Sequence, residues 1–158
     1  MGAKDSALIG AAGEHLVLSR LLTRGLLAAQ APRGTRKVDI LVNFIDGGSP
    51  CLIQVKSRSK GGSKGWHMNA KHELIRDDDL FYCFVDFEPE TPEVYVVPAA
   101  VVGETLERGH AIWLATPGKQ GQAHNQTAFR RLLSDDKNSE PDWLNQYLEN
   151  WDQLVPRR

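Results

Sequence analysis

Two β-branched runs, Val38–Phe44 and Cys51–Ser57, flank a glycine pair, and they limit the possible folds more than any other feature of the chain. Gly47-Gly48 suits a two-residue hairpin loop, because both central positions of the favoured turns take φ > 0. With those two residues as the loop, Asp39 stands opposite Lys56 and Leu41 opposite Gln54. Side chains alternate along a strand, so Asp39, Gln54 and Lys56 share one face. The other face pairs Ile40 with Val55, Val42 with Ile53, and Phe44 with Cys51, all apolar. A one-residue slip would exchange the two faces, so the pattern specifies its register. The plain alternative is an exposed Asp–Lys pair worth at most about 1 kcal/mol.

Around this hairpin the chain reads as an α/β layer domain in the order α-β-β-β-(α)-β-β-α-α. Residues 5–24 are Ala- and Leu-rich, lack Pro and end at Gly25, a helix with its stop. Leu26–Pro32 is a short strand, and Leu80–Phe87 with Val94–Pro98 forms a further strand pair. Residues 99–109 suggest a short helix, and Ala111–Ala115 fits either a strand or a helix end. Pro141 followed by Trp143, Leu144, Tyr147, Leu148, Trp151 and Leu154 at helical spacing predicts a helix over 141–154. No linker or repeat divides the chain, so residues 1–158 are expected to form one domain, with a C-terminal helical segment, 126–155, packing on the core.

The chain has 19 basic and 20 acidic residues, a net charge of −1 that argues against a polyanionic partner. Divided along the chain, the charge is +1 over residues 1–32, +6 over 33–76 and −8 over 77–158. The basic block holds Asp39, Gln54 and Lys56, so one face is suited to an anion such as phosphate. Internal pairing of the basic and acidic halves is the competing reading. No apolar run approaches the roughly 20 residues of a bilayer span, and the N-terminus lacks a signal-peptide pattern. Cys51 and Cys83 lie within apolar runs and read as buried free thiols in a reducing cytoplasm.

Glu14 is out of place in the first helix. At 100° per residue it shares a stripe with Ala7, Gly10, Ala11, Leu18 and Leu21, where a carboxylate is costly unless something meets it. Small neighbours allow close approach to a sheet, which would aim Glu14 toward Asp39. The alternative is a Glu at the stripe's edge, reaching solvent or pairing with His15 or Arg24.

A helix-borne Glu14, then Asp39, fourteen intervening residues and Gln54-Val55-Lys56 on the next strand resemble the PD-(D/E)XK nuclease superfamily. Gly65–Glu73 and Leu80–Phe87 further resemble a group of small uncharacterised bacterial members. The resemblance implies a restriction-endonuclease-like core, a central mixed sheet flanked by helices. It also implies metal-dependent phosphodiester hydrolysis of nucleic acid, DNA before RNA, by an endonuclease or resolvase-like enzyme. Asp39 would be the principal ligand of Mg2+ or Mn2+, joined by Glu14, the Gln54 side-chain oxygen and the Val55 backbone carbonyl. Lys56 would orient or help deprotonate the attacking water. Val38 replaces the motif's Pro at a variable position, whereas Gln54 replaces an acidic residue and removes one negative charge from the ligand set. A catalytically degenerate nucleic-acid-binding module of the same fold, or a protein-interaction domain, are the alternatives.

Candidate phosphate-binding residues are Arg33, Arg36, Lys37, Arg58, Lys60, Lys64 and Lys71, with Trp66 read either as a base-stacking platform or as a core cap. Lys71 and His72 read by default as a solvated helix face. His67 and His72 are five apart and the cysteines lack C-x-x-C spacing, so a zinc site is not expected. Gly61–Gly65 lacks the first Gly of a P-loop and reads as a loop able to lie along a phosphate backbone. The C-terminal aromatic stripe suggests core, with a homodimer seam as the minor alternative.

Overall fold

A computed structural model describes residues 3–134 and 141–154. Helix α1 (Ala3–Thr23) ends where Gly25 takes φ +79°, and leads into β1 (Leu27–Gln30). Strands β2 (Ile40–Asn43) and β3 (Cys51–Arg58) form the expected hairpin. Next come β4 (Trp66–Asn69), a 3-10 turn at Ala70–Leu74, β5 (Leu80–Asp86) and β6 (Glu93–Pro98). Helix α2 (Ala99–Ala115) and β7 (Phe129–Leu132) follow. Five strands make a mixed sheet in the order β1-β2-β3-β5-β6, with β3 and β5 parallel and the other neighbours antiparallel. The expected α/β class, a central mixed sheet with helices against it, is the observed one.

Each face of the sheet carries its own core. Val17 and Leu21 of α1 pack with Ile40, Val42, Ile53, Cys83, Val85 and Val96 on one side. Tyr82, Phe84 and Val97 pack with Trp66, Met68, Val102, Leu106 and Leu132 on the other. Strand β5, covered on both faces, is buried at all seven positions, which explains its unbroken apolar run. Cys51 and Cys83 are both buried and no disulfide joins them, as expected. Among the described residues no helix is long and apolar enough to cross a membrane.

Three expectations need correction. The hairpin register is displaced by two residues: Ile40 pairs with Ile53, Leu41 with Leu52 and Val42 with Cys51. The loop is longer than Gly47-Gly48 alone, because Gly47 N also closes a turn on Phe44 O at 3.1 Å, with both glycines at positive φ. An even displacement preserves the faces, so Asp39, Gln54 and Lys56 stay on one side, with Gln54 in place of Lys56 as the residue facing Asp39. Second, β4 and β7 form a separate antiparallel two-stranded sheet that the sequence reading lacked. β7 occupies part of the stretch expected to be helical, 126–155, and α2 runs on through Ala111–Ala115.

Third, no α-helix forms over 141–154. Short 3-10 turns at Asn145–Tyr147 and Trp151–Gln153 alternate with positive φ at Asp142 and Glu149. Of the apolar residues at helical spacing, Trp143, Leu144, Trp151 and Leu154 are still buried, while Tyr147 is half-buried and Leu148 exposed. Contacts to the edge of β6 replace the helix. Glu149 N donates to Val94 O at 2.8 Å, and its carboxylate accepts from Val94 N (3.0 Å) and Trp151 Nε1 (2.8 Å) while pairing with Arg20. Covering an edge strand in this way satisfies backbone groups that would otherwise be open to another chain.

Candidate metal and nucleic-acid site

The site forms where β2 ends before β3 does. Asp39 immediately precedes β2: its N donates to Ile53 O at 2.8 Å and its O accepts from Ala31 N at 2.8 Å. Its side chain reaches back over β3, where Oδ2 accepts from Val55 N at 2.7 Å. In an antiparallel ladder a residue's N–H and C=O leave the strand on the same side. The Val55 carbonyl therefore faces the gap that Asp39 occupies, beyond the start of β2.

Gln54 is the next residue facing Asp39 in the observed register. Its Oε1 is buried and has no hydrogen-bond partner. A buried carbonyl oxygen normally has a partner; Ser57 Oγ and Arg58 Nε on the same strand are likewise buried without one. Lys56, one step along the same face, lies beside Phe84 of β5. Burial pushes its ammonium pKa down, and Lys71 adds to the effect, while the Asp39 charge opposes it.

Glu14 approaches from the other face of the sheet on α1. Close contact is possible because Gly13 sits against β3: a Cβ there would lie 3.1 Å from Ser57 Cβ and 3.5 Å from Val55 Cγ1. Burial raises the Glu14 pKa, the Asp39 charge raises it further, and His15 and Arg33 oppose. The two carboxylates are thus close enough for one charge to disfavour the other. Among the described residues no group of three or more His, Cys, Asp or Glu is placed to hold a metal.

The sequence-derived catalytic residues Glu14, Asp39, Gln54 and Lys56 thus come together, with the Val55 carbonyl among them. The basic residues divide. Arg33, Arg36 and Lys37 are exposed on the loop ahead of Asp39, Lys60 and Lys64 on the loop after β3, and Lys71 on the 3-10 turn. Arg36 and Lys37 line a cleft of about 520 Å³ together with Asp77 and Asp78, so their charge is partly offset. Arg58 pairs with buried Asp86 and lies over the Trp66 ring at 4.9 Å, which makes it a packing residue. Trp66 is 1% exposed and donates from Nε1 to Val85 O at 3.0 Å, so it caps the core and does not stack on a base.

Sequence reasoning missed the role of His72. Instead of a solvated helix face, it occupies a buried position with Nδ1 2.6 Å from the Tyr82 hydroxyl. Burial, with Lys56, Lys71 and Lys37 nearby, lowers its pKa to about 4. A neutral imidazole therefore lies on the protein side of Lys56 and adds no charge to it. No spacing signal in the sequence marks this residue; only the register of β5, which brings Tyr82 under the turn, does. A cleft of about 400 Å³ opens beside Lys56, lined by Ser6, Ile9, Ser59, Ser63 and His67 among others.

No family model and no curated protein matches this chain. Among solved structures it is similar to a bacterial homing endonuclease, with a TM-score of 0.55 and 19% identity over 96% of this chain and 92% of the other. The two share a fold over nearly their whole lengths.

Proposed function

We propose that this chain is a metal-dependent nuclease of the PD-(D/E)XK type that hydrolyses phosphodiester bonds in DNA. The orphaned Gln54 Oε1, on the same sheet face as Asp39 and Lys56, carries the reading, because it is the orphan that lies among the charged groups of the motif. Glu14, Asp39, Gln54 Oε1 and the Val55 carbonyl would hold Mg2+ or Mn2+, for which oxygen donors of this kind are suited. When bound, such an ion supplies polarisation of a phosphoryl oxygen and a lowered pKa for a coordinated water. The fold shared with a homing endonuclease supports the reading.

The chain's own residues supply the remainder. Asp39, held by the Val55 N–H, keeps its second carboxylate oxygen toward the site. Lys56 has a lowered pKa, so at mildly alkaline pH a larger fraction is neutral and able to accept a proton from the attacking water. In its charged form it offsets negative charge on the phosphate. Exposed Arg33, Lys60, Lys64 and Lys71 surround the site and would position the backbone of the substrate.

Gln54 also favours a second reading. One carboxylate fewer lowers the negative charge available to a cation, and a binding module that has lost cleavage would look the same. Purified protein with Mg2+ or Mn2+ on supercoiled, single-stranded and branched DNA distinguishes the two. Cleavage that disappears in Asp39→Ala and Lys56→Ala supports the nuclease. Salt-sensitive DNA binding without cleavage supports the binding module, since phosphate contacts release counterions. Cleavage that persists in both variants removes the assigned site.

A further inference from the structure

The two longest stretches of the chain without an acidic residue are 47–72 and 108–134, and ten Asp and Glu lie in the 35 residues between them. The fold brings these two stretches together. β4 belongs to the first and β7 to the second, and they pair with each other alone, apart from the main sheet. The alternation is strict: Trp66, Met68, Arg130 and Leu132 point inward and are buried, while His67, Asn69, Phe129 and Arg131 point outward and are exposed. The outer face is ordered by its own contacts, His67 against Phe129 at 5.2 Å and Arg131 over the Phe129 ring at 5.7 Å. Arg130 is turned in, where it pairs with Glu73 and anchors the ribbon to the 3-10 turn.

We propose that the β4–β7 ribbon is the element that reads base sequence in the major groove of duplex DNA, through Arg131 and Asn69, with His67 and Phe129 packed between them. A two-stranded ribbon fits the major groove of B-form DNA, and Arg to guanine and Asn to adenine are the pairings that the base edges favour. The occupant follows from charge and continuity. Lys60 and Lys64 lead into the ribbon, Lys71 follows it, and no acidic residue lies on either strand. His67 lines the cleft that contains Lys56, so a duplex on the ribbon extends directly toward the candidate site. Double-stranded RNA is a poor match, because its major groove is too narrow for such an element.

This inference deepens the proposed nuclease reading, and its test is separable from it. The full chain, with Ca2+ in place of Mg2+, is used to select from a pool of duplexes carrying 20 randomised base pairs, and the bound pool is sequenced. The wild-type chain and Lys56→Ala are expected to enrich the same motif. Arg131→Ala is expected to lose discrimination at one base pair by roughly 5- to 150-fold, the worth of one bidentate base contact, while Asn69→Ala relaxes a different position. Arg131→Lys, which keeps the charge, is expected to relax the same position as Arg131→Ala with a smaller loss of overall affinity. Arg131 is exposed, so thermal unfolding of its variants should match the parent. Asn69 Oδ1 also accepts from Lys71 N at 3.1 Å as the cap of the 3-10 turn, so Asn69→Ser, which keeps a capping oxygen and lacks the amide, is the stability-matched variant at that position. A selection that yields no motif, or a motif unchanged in Arg131→Ala and Asn69→Ala, overturns the ribbon's role. An altered motif without cleavage would overturn the nuclease and leave the ribbon's role standing.

Discussion

Gly13→Ala is the most informative single change, because one methyl group tests how α1 places Glu14. The added Cβ would meet Ser57 first. Ser57 Oγ has no hydrogen bond to hold it and can rotate away. Ser57 Cβ is fixed to the backbone of β3 and would remain 3.1 Å from the new methyl, with Val55 Cγ1 at 3.5 Å. Ordinary contact requires α1 to lift from the sheet by a few tenths of an ångström, and overpacking of this kind costs about 1–3 kcal/mol. The better helix propensity of Ala returns about 0.5–1 kcal/mol, which leaves a net loss of up to about 2.5 kcal/mol. Misplacement by 1 Å costs about 100-fold in rate, so a shift of a few tenths scales to about 4- to 10-fold. Metal-dependent cleavage, followed beside urea unfolding, should therefore fall by about 4- to 10-fold. Gly10→Ala, on the same helix with nothing within 4 Å of its added Cβ, should gain stability and keep its rate. Restoring space with Ser57→Gly in the Gly13→Ala background should recover much of both losses. A Gly13→Ala protein as stable and active as Gly10→Ala would refute the close seating of α1 on β3.

Further expectations concern charge. Lys56 has a depressed pKa in the folded protein, so stability falls as pH drops from 10.5 through its folded value. Lys56→Met should accordingly abolish cleavage while raising the unfolding midpoint at pH 7, a gain that shrinks above pH 10.5. Glu14 has a raised pKa, so the metal-free protein loses stability as pH rises above 4.5 through the folded value. Mn2+ should raise Tm more at pH 8 than at pH 5, and Glu14→Gln should remove most of that difference. His72, held neutral to about pH 4, makes stability fall as pH drops from 6.5 toward 4. Acid unfolding of His72→Gln should be shallower over that interval, and an unchanged profile would place the acid sensitivity elsewhere.

The candidate site was legible because its signal is short-range and parity-based. Asp39, Gln54 and Lys56 share a face in any register displaced by an even number, so a two-residue error in pairing left them together. By sequence Glu14 shares a stripe with Ala7 and Ala11, but those two are exposed; the face against the sheet runs Gly13, Val17 and Leu21, and Glu14 borders it. What sequence did not reveal depends on distant partners. β4 and β7 are four residues each, and neither is a stable strand until the other, 60 positions away, pairs with it. The 141–154 stretch has helical spacing, yet Glu149 is tied to Val94 and Arg20, and those contacts outweigh the helix preference. Trp66 and Arg58 belong to a basic loop by sequence and to the core by structure. Their partners, Val85 and Asp86, lie on β5.

The central claim is that Glu14, Asp39 and Gln54 form one cation site. A crystal structure of the protein soaked in Mn2+, with anomalous diffraction, tests it most directly. The account requires a single strong peak bonded to Asp39, Gln54 Oε1 and the Val55 carbonyl, and lost in Asp39→Ala. A peak elsewhere, or an empty site with Gln54 Oε1 bonded to a protein donor, would contradict it.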